Sequence, residues 1–417
     1  MGETRRVDYL LVGGGVASVK AAMGIRELDK EGSILIVKAE DRMPYDRPPL
    51  SKGILLGEMT AEDAESKDPS FYPDNKVDLE TGVGVQSIGL AARKVSLTDG
   101  RVIEYGKMLL ATGSRPRRPD LPGIDLDRVH LLREMSDSLA IRDSMATSKR
   151  AAFVGSGYIG MEVAADCLVK GIEVVLVDQN DYPWGKLVSP LTGNFLRREF
   201  ENQGARFFMR DEASRIEGEG TVSGLSLKSG ASISADMVVV GVGVERNLEL
   251  ASEAGLEMDE KHGVVVDEQL RTSDPNVWAA GDIAAYVDPV AEKRWHNEHH
   301  LNADWQGKQA GRNMAGAGEP YRRVAYFFSD MGDLHMALRG VPDVGKSVKV
   351  LGDPEIGEFV ELYARDDGSL SMGIAFSHNE QRLDPISDRL EKEIEARRPA
   401  MDLQEADFGL DADKGLG

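Results

Sequence analysis

Residues 151–160 read AAFVGSGYIG, and residues 7–18 read VDYLLVGGGVAS. Each stretch is a short apolar run that ends in a glycine turn and continues into a helix-like pattern. A second apolar run follows each of them, ILIVK at 34–38 and EVVLVD at 173–178. A strand, a glycine turn, a helix and a second strand form the βαβ unit that binds dinucleotides. The repeat therefore predicts an α/β fold with two Rossmann-like dinucleotide-binding domains.

Three positions in each glycine motif have separate physical tasks. The first permits a tight turn, and the second lets the backbone approach a pyrophosphate. The helix that follows supplies N–H donors and the positive end of its dipole. These positions are Gly13, Gly15 and Ser18 in the first motif, and Gly155, Gly157 and Gly160 in the second. Serine is small enough at the third position to keep the helix close to the strand.

An acidic residue at the end of the second strand holds a ribose, about 20 residues after the middle glycine. Asp178 lies 21 residues after Gly157. Glu40 lies 25 residues after Gly15, and Asp41 is the alternative for the same role. A carboxylate at 178 would repel a 2′-phosphate, so the second site is predicted to favour NAD over NADP.

The stretch NVWAAGDIAAY at 276–286 resembles a third ligand-binding turn, an apolar strand that ends in Ala-Gly-Asp and leads into a helix. Gly281 would permit close approach, and Asp282 could accept hydrogen bonds from sugar or ribityl hydroxyls. Aspartate is also a favoured helix N-cap. The residues alone leave both interpretations open.

The composition limits the classes of function. The chain of 417 residues carries 50 basic and 71 acidic residues, a formal net charge of −21. That charge disfavours binding to nucleic acid or an anionic membrane. No apolar run approaches the roughly 18 residues of a membrane span. The amino terminus lacks a signal-peptide profile, so a cytoplasmic protein is predicted.

Cysteine usage excludes one class of redox chemistry. Cys167 is the only cysteine of the chain. An internal disulfide, or a Cys-x-x-Cys pair, is therefore impossible. Cys167 falls on the predicted helix after the second glycine motif, where a small buried hydrophobic residue is expected.

Six motifs carry a family resemblance through their order and spacing. They are VGGGVAS (12–18), PYDRPPLSK (44–52), LLATGSRPR (109–117), VGSGYIGMEVA (154–164), GVGVERN (241–247) and WAAGD (278–282). The chain resembles the FAD- and NAD-binding ferredoxin reductases of oxygenase systems, and more closely the apoptosis-inducing factor-like flavoproteins. The closer likeness is carried by RMPYDRPPLSK (42–52), WGKL (184–187), EHH (298–300) and YFFSD (326–330).

The resemblance implies a chain of three domains. A discontinuous FAD-binding domain would comprise residues 1–118 and 248–325, and an NAD-binding domain residues 119–247. Residues 326–400 would form a C-terminal α/β interface domain that closes over the flavin, and the acidic tail at 401–417 is predicted to be disordered.

Two patterns support the C-terminal domain. Residues 360–376 alternate like a hairpin around an Asp-Asp-Gly turn. Residues 384–398 place apolar side chains at four-residue spacing, which predicts an amphipathic helix.

The resemblance also implies roles for individual residues. Lys52 would lie close to the flavin N5 edge and pair with Glu162, and the two are the candidate catalytic residues. Arg47 would face the FAD and Asp282 its ribityl chain. Further contacts with FAD or the nicotinamide are implied for Val85, Arg133, Glu298, His299 and Phe328. Disulfide reductases of this superfamily carry their redox cysteines in the segment that here ends in Lys52.

The chain departs from the family pattern at two positions. Phe328 stands where tryptophan is usual, which keeps the aromatic ring and loses the N–H donor. Arg246 stands where proline is usual, which adds flexibility or a new ion pair. The histidines of WHNEHH (295–300) do not have the ligand set of structural zinc. A helix start or contacts at the flavin edge are expected there, and no metal.

These observations predict an FAD-dependent NADH oxidoreductase that passes electrons to a one-electron acceptor. The acceptor would be a ferredoxin or another small electron-transfer protein, and the enzyme a monomer or homodimer. Ferredoxins are commonly acidic, so docking would need a local basic patch, with Arg322, Arg323, Arg339 and Lys346 as candidates. The alternatives are a redox-sensing interaction protein with slow NADH oxidation, and an NADH oxidase acting on a quinone or oxygen.

Overall fold

A computed structural model describes residues 4–185 and 187–410, which form two compact units. The first unit comprises residues up to 46, 62–115 and 245–325. The second unit comprises 47–61, 116–244 and the residues from 326 onward. The segment 47–61 packs with the second unit, although the sequence assigned it to the FAD-binding domain. The division into three domains stays a prediction.

Helices and strands alternate through both units. The α-helices are α1 (Val16–Leu28), α2 (Gly53–Leu56), α3 (Phe71–Asp74), α4 (Met135–Met145), α5 (Tyr158–Val169), α6 (Pro190–Asn202), α7 (Glu249–Glu253), α8 (His300–Met314) and α9 (Glu380–Glu395). The strands are β1 (Thr4–Val12), β2 (Ile34–Val37), β3 (Val77–Glu80), β4 (Val85–Gly89), β5 (Lys94–Leu97), β6 (Val102–Leu110), β7 (Ser114–Pro116), β8 (Val129–His130), β9 (Arg150–Val154), β10 (Glu173–Asp178), β11 (Arg206–Met209), β12 (Ala213–Glu219), β13 (Thr221–Leu227), β14 (Ser232–Ser234), β15 (Met237–Val240), β16 (Val244–Arg246), β17 (Met258–Asp259), β18 (Gly263–Val265), β19 (Val277–Ala279), β20 (Ala284–Val287), β21 (Arg294–Trp295), β22 (Tyr326–Met331), β23 (Leu334–Gly340), β24 (Lys346–Asp353), β25 (Glu358–Ala364) and β26 (Leu370–Ser377).

The first unit is built on a sheet of order β3-β2-β1-β6-β5-β4, in which β19 also pairs with β6. Strands β3, β2, β1, β6 and β19 run parallel, and β4 and β5 form an antiparallel extension. The parallel strands read as continuous apolar runs because both faces of the sheet are covered. Leu10, Leu11 and Ile36 are completely buried.

Helix α1 packs against α8 through small residues. A Cβ built on Gly307 would lie 2.2 Å from the Ala17 carbonyl oxygen, and one on Gly311 would lie 2.1 Å from that of Ala21. Only glycine permits so close a backbone approach. This packing holds the amino terminus of α1 at the carboxyl edge of the sheet.

The second unit contains a parallel sheet of order β11-β10-β9-β15-β8 and a small antiparallel sheet β12-β13-β14. A five-stranded antiparallel sheet of order β22-β23-β26-β25-β24 follows, with α9 packed on it. The predicted hairpin is confirmed as β25 and β26. The predicted amphipathic helix is confirmed as α9, which begins at Glu380 after its Asn379 cap. The predicted fold class is confirmed.

Two sequence predictions of local structure were wrong. The helix expected after WAAGD is a 3-10 turn at Gly281–Ile283, followed by strand β20, which pairs with β18 and β21. Residues 401–410 are folded, with a 3-10 turn at Glu405–Phe408 and with Leu403 and Phe408 buried. The predicted disorder therefore does not apply to them. The remainder of the predicted tail, 411–417, lies outside the described residues.

No helix in the described part of the chain combines the length and apolar character that a bilayer crossing requires.

Candidate functional site

The first glycine turn has a backbone conformation that residues other than glycine rarely adopt. Gly13 follows β1 with a φ of +117°, and a Cβ there would lie 2.2 Å from the Ala111 carbonyl oxygen. Gly15 is the N-cap of α1, and no side chain of the described residues caps that helix start. Ser18 is fully buried, in keeping with a small residue between helix and strand. The turn thus leaves backbone N–H groups for an anion.

The second turn repeats this geometry in the second unit. Gly155 has a φ of +99°, and a Cβ on it would lie 2.3 Å from the Gly241 carbonyl oxygen. A Cβ on Gly160 would lie 2.5 Å from the Gly155 carbonyl oxygen, so glycine is required for helix–strand packing. Gly157 is the N-cap of α5. A Cβ built on Gly157 would lie 3.9 Å from the Gly241 carbonyl oxygen, an ordinary contact distance.

Each turn fits the pyrophosphate of a dinucleotide. Both turns combine a positive-φ glycine, a helix amino terminus that no described side chain caps, and a first helical turn without an acidic residue. An acid there would repel phosphate, and a capping side chain would compete for the same N–H groups. The first turn is called the first cradle below, and the second turn the second cradle.

The predicted ribose acid of the second cradle is fixed by its neighbours. The Oδ2 atom of Asp178 accepts hydrogen bonds from the Ser156 backbone N–H and hydroxyl, each at 2.7 Å. Its Oδ1 atom accepts from the backbone and side-chain N–H groups of Asn180, at 2.9 and 2.7 Å. The carboxylate therefore stands beside the middle residue of the glycine turn, where a ribose would lie.

The candidate acids of the first cradle are engaged differently. Glu40 accepts hydrogen bonds from the Tyr45 hydroxyl at 2.9 and 3.0 Å and forms an ion pair with Lys38 at 3.4 Å. Asp41 accepts a hydrogen bond from the Thr81 hydroxyl at 2.9 Å.

Other predicted site residues of the first unit occupy defined positions. The Ser114 hydroxyl donates to Asp282 at 2.6 Å, and the adjacent Gly281 has a φ of +76°. Asp282 does not cap a helix, since β20 follows it. Val85 begins β4 and is half-buried opposite Leu97.

The histidine-rich stretch is explained by local contacts. The Nδ1 atom of His299 caps α8 by accepting from the Leu301 N–H at 3.3 Å. Glu298 lies 3.7 Å from Arg246 and 3.5 Å from His296. Arg246 therefore adds an ion pair at this departure from the family pattern. Across residues 4–185 and 187–410, no group of three or more metal-binding side chains is found.

A charged cluster in the second unit contains both candidate catalytic residues. Lys52 Nζ lies 4.0 Å from Glu162 Oε1 and 2.5 Å from Asp330 Oδ2. The ammonium also lies 4.9 Å from the centre of the Phe328 ring, within cation–π range. The structure thus brings Lys52, Glu162 and Phe328 together. It adds Asp330 as a nearer partner that the sequence analysis did not identify.

The two carboxylates of the cluster have different environments. Glu162 is buried and accepts hydrogen bonds from the Ser51 hydroxyl at 2.5 Å and the Ser329 hydroxyl at 2.6 Å. Burial raises its pKa, although Lys52 and these hydroxyls act in the opposite direction. Burial also acts to raise the pKa of Asp330, but Lys52 and His335 outweigh it and lower the pKa. The ammonium is thus held chiefly by an ionised Asp330.

Two predicted cofactor contacts meet elsewhere in the second unit. The Arg47 Nε–H donates to the Arg133 carbonyl oxygen at 3.2 Å. Ser138 donates to the Leu50 carbonyl oxygen at 2.7 Å, which ties the proline-rich segment to α4. These bonds fix the segment that carries Lys52.

Asp166, a second buried carboxyl one helical turn after Glu162, makes the free energy of unfolding depend on pH. Burial, followed by the charge of Glu162, raises the pKa of Asp166 to about 8. The pKa in the unfolded chain is about 3.9. The folded-state pKa is higher than the unfolded-state pKa. The contribution of Asp166 to the free energy of unfolding is therefore greatest below about pH 4 and is lost as the pH rises from about 4 to about 8.

Replacing Asp166 by asparagine is expected to remove this loss. The free energy of unfolding of the variant relative to that of the wild type should rise by roughly 4 kcal/mol between pH 5 and pH 9. Calorimetric unfolding at pH 5, 7 and 9 measures the effect. Asp143→Asn, at an exposed position of α4, is the control. Parallel pH profiles for wild type and D166N would contradict the assignment.

Comparison with known proteins shows what the chain is similar to. A model of the pyridine nucleotide-disulphide oxidoreductase family matches residues 7–307. The probable ferredoxin reductase CtmF of Castellaniella defragrans is 36% identical over 365 residues, covering 87% of this chain and 89% of that protein. The rhodocoxin reductase of Rhodococcus erythropolis is 33% identical over 354 residues, covering 85% and 82%. Among solved structures, a chain of the covalent putidaredoxin reductase–putidaredoxin complex superimposes with a TM-score of 0.90 at 26% identity. The match covers 98% of this chain and 97% of that chain.

Proposed function

Because the chain belongs to the pyridine nucleotide-disulphide oxidoreductase family, we propose that it is an FAD-dependent NADH oxidoreductase that delivers electrons to a ferredoxin-type protein. The observation that carries the proposal is the presence of two dinucleotide cradles in a chain whose one cysteine is buried. Thiol–disulfide chemistry at an internal cysteine pair is thereby excluded. The relatives named above are a probable ferredoxin reductase and a rhodocoxin reductase.

The first cradle would hold FAD and the second NAD. When bound, the flavin supplies the chemistry, because it accepts a hydride and releases electrons singly. The chain's own residues bind and orient the two nucleotides. Gly13 and Gly15 would approach the FAD pyrophosphate, while Gly155 and Gly157 would approach that of NAD. Asp178 would accept hydrogen bonds from the NAD ribose and disfavour a 2′-phosphate.

The charged cluster would tune the flavin. The family resemblance assigns Lys52 to the flavin, and in this chain Asp330 and Glu162 hold the ammonium in place. A fixed positive charge favours the reduced, more negative flavin by Coulomb attraction. Glu162 is inferred to position the lysine, and Phe328 to cover the flavin with its ring.

Replacing Lys52 by methionine, which keeps the length of the side chain, is expected to lower the flavin midpoint potential. Reduction by NADH should slow by about ten- to a hundredfold. Redox titration and anaerobic stopped-flow absorbance measure the two effects. Lys170→Met is the control, because Lys170 binds the Leu56 carbonyl in the same unit at 2.8 Å. An unchanged potential in K52M would contradict the role of Lys52.

One of the four basic residues predicted to form a docking patch for an acidic acceptor is buried. Arg339 is only 5% exposed, and its guanidinium lies 4.0 Å from the centre of the Tyr326 ring. It therefore cannot contribute to an exposed basic patch. Arg322 forms an ion pair with Glu268 at 3.6 Å. Its side chain is 72% exposed, so Arg322 stays a candidate together with Arg323 and Lys346.

The proposal is tested by two measurements on the purified protein. Anaerobic titration with NADH and NADPH should bleach the flavin, with NADH effective at the lower concentration. Steady-state reduction of cytochrome c should accelerate when ferredoxin is added. A protein that NADH does not reduce would remove the proposed activity, and no stimulation by any ferredoxin would remove the acceptor.

The apoptosis-inducing factor-like alternative is not favoured by the comparisons. It would require slow flavin reoxidation, a long-lived complex with NAD and a change of oligomeric state on NADH addition. Light scattering and flavin absorbance with and without NADH distinguish it. The cytoplasmic location and the monomeric or dimeric state stay predictions.

A further inference from the structure

The two cradles carry opposite charges at equivalent positions. In the first unit, Val12 of β1 pairs with Val37 of β2. In the second unit, Val154 of β9 pairs with Val177 of β10. Each first-strand valine directly precedes the glycine turn. The residue after Val37 is Lys38, and it therefore occupies the place that Asp178 occupies in the second cradle.

The side chain of Lys38 also takes over the contact of that aspartate. Asp178 binds Ser156, the middle residue of the second glycine turn. The equivalent residue of the first turn is Gly14. A Cβ built on Gly14 would lie 2.2 Å from Cδ of Lys38 and 2.3 Å from its Cγ. The lysine stem therefore lies directly against the glycine turn, in space that a larger residue at 14 would need.

The ammonium of Lys38 is held in a fixed position. It donates to the Met43 carbonyl at 3.0 Å, lies 3.4 Å from Glu40 and stands 4.8 Å from the centre of the Tyr45 ring. The side chain is only 5% exposed. A charge in this setting is less screened than one in bulk water, so it acts on a ligand bound at the turn.

We propose that Lys38 determines the charge specificity of the first cradle at its adenosine-ribose end, with Glu40 as its counter-ion rather than as the ribose ligand. This inference rests on the proposed function, since it assumes that the first cradle binds FAD. An aspartate at this position accepts from ribose hydroxyls and rejects a 2′-phosphate. A lysine donates to ribose oxygens and attracts a 2′-phosphate. The first cradle thus tolerates the group that the second cradle rejects.

The test is displacement of FAD from the first cradle by nucleotides that lack a flavin. Apoprotein is reconstituted with FAD, and flavin fluorescence reports its release by ADP or by 2′-phosphoadenosine 5′-diphosphate. For the wild type, the 2′-phosphorylated nucleotide should displace FAD at the lower concentration. Lys38→Met should shift the ratio of the two inhibition constants toward ADP by about tenfold or more. Glu40→Gln should shift it in the opposite direction.

Tyr45→Phe is the matched control, because it removes a hydrogen bond to Glu40 without changing the charge. It should leave the ratio unchanged. K38M should also weaken FAD binding while leaving FMN binding unchanged, since FMN lacks the adenosine half. A purely structural lysine would weaken both.

Several outcomes would overturn the inference. They are equal displacement by the two nucleotides in the wild type, no displacement by either, and K38M and E40Q shifts in the same direction. If K38M does not fold, the wild-type ratio and the E40Q shift still decide. If FAD does not rebind to wild-type apoprotein, the proposed function itself fails. If FAD rebinds and the ratio is independent of residue 38, only this inference fails.

Discussion

Replacing Gly13 by alanine is expected to produce a protein purified without flavin. The residue has a φ of +117°, which costs an L-residue about 1–2 kcal/mol. Its new Cβ would also lie 2.2 Å from the Ala111 carbonyl oxygen, in the neighbouring strand connection. The turn must move to relieve this contact, and its N–H groups then no longer point at a pyrophosphate. The dissociation constant of FAD should rise more than about a hundredfold.

Gly100→Ala separates the two causes. Gly100 lies in the same unit with a φ of +86°, and a Cβ there would meet open space within the described part of the chain. It shares the conformational cost of a positive φ without the clash. G100A should lose about 1 kcal/mol of stability and keep its flavin. Flavin-to-protein absorbance ratios and thermal unfolding measure both variants. Full flavin content in G13A would contradict the assignment of the first cradle.

Replacing Asp178 by asparagine is expected to reduce discrimination between NADH and NADPH by about ten- to a hundredfold in kcat/KM. The change removes the negative charge that a 2′-phosphate would face. It also introduces an amide donor where Asp178 now accepts only, from Ser156 on one side and Asn180 on the other. Since one of those donors would lose its acceptor, kcat/KM for NADH should fall.

Glu173→Gln provides the control for charge. Glu173 is exposed at the opposite end of the same strand, β10. The substitution Glu173→Gln removes one negative charge from the same strand and should leave the preference for NADH over NADPH unchanged. Steady-state kinetics with NADH and NADPH measure both variants. A preference retained in D178N would place the discriminating residue elsewhere.

The local parts of the architecture could be predicted because their signals are contiguous in the sequence. A glycine turn between two apolar runs specifies a βαβ unit, and both units formed as predicted. Asp330 could not be predicted as the closest partner of Lys52, since 278 residues separate the two. Their pairing depends on how β22 and the segment that carries Lys52 each pack against α5. Only the YFFSD motif suggested that this strand mattered.

The predictions that failed reveal the limits of local pattern. The WAAGD stretch has the composition of a strand and helix start, but pairing of β20 with its neighbours overrides helix formation. Residues 401–410 are rich in acids, but Arg389 and Lys349 bind this segment to the C-terminal sheet and helix. The place of Lys38 depends on strand register, which spacing from Gly15 does not show.

The packing of α1 against α8 at Gly307 and Gly311 determines when the first cradle can fold during translation. Helix α1 is synthesised at residues 16–28, but its packing partner follows at 300–314. During translation, the first turn is thus exposed before the helix that supports it exists. A nascent chain that ends before residue 300 should therefore not retain FAD, whereas one that extends beyond residue 325 has every element of the first unit.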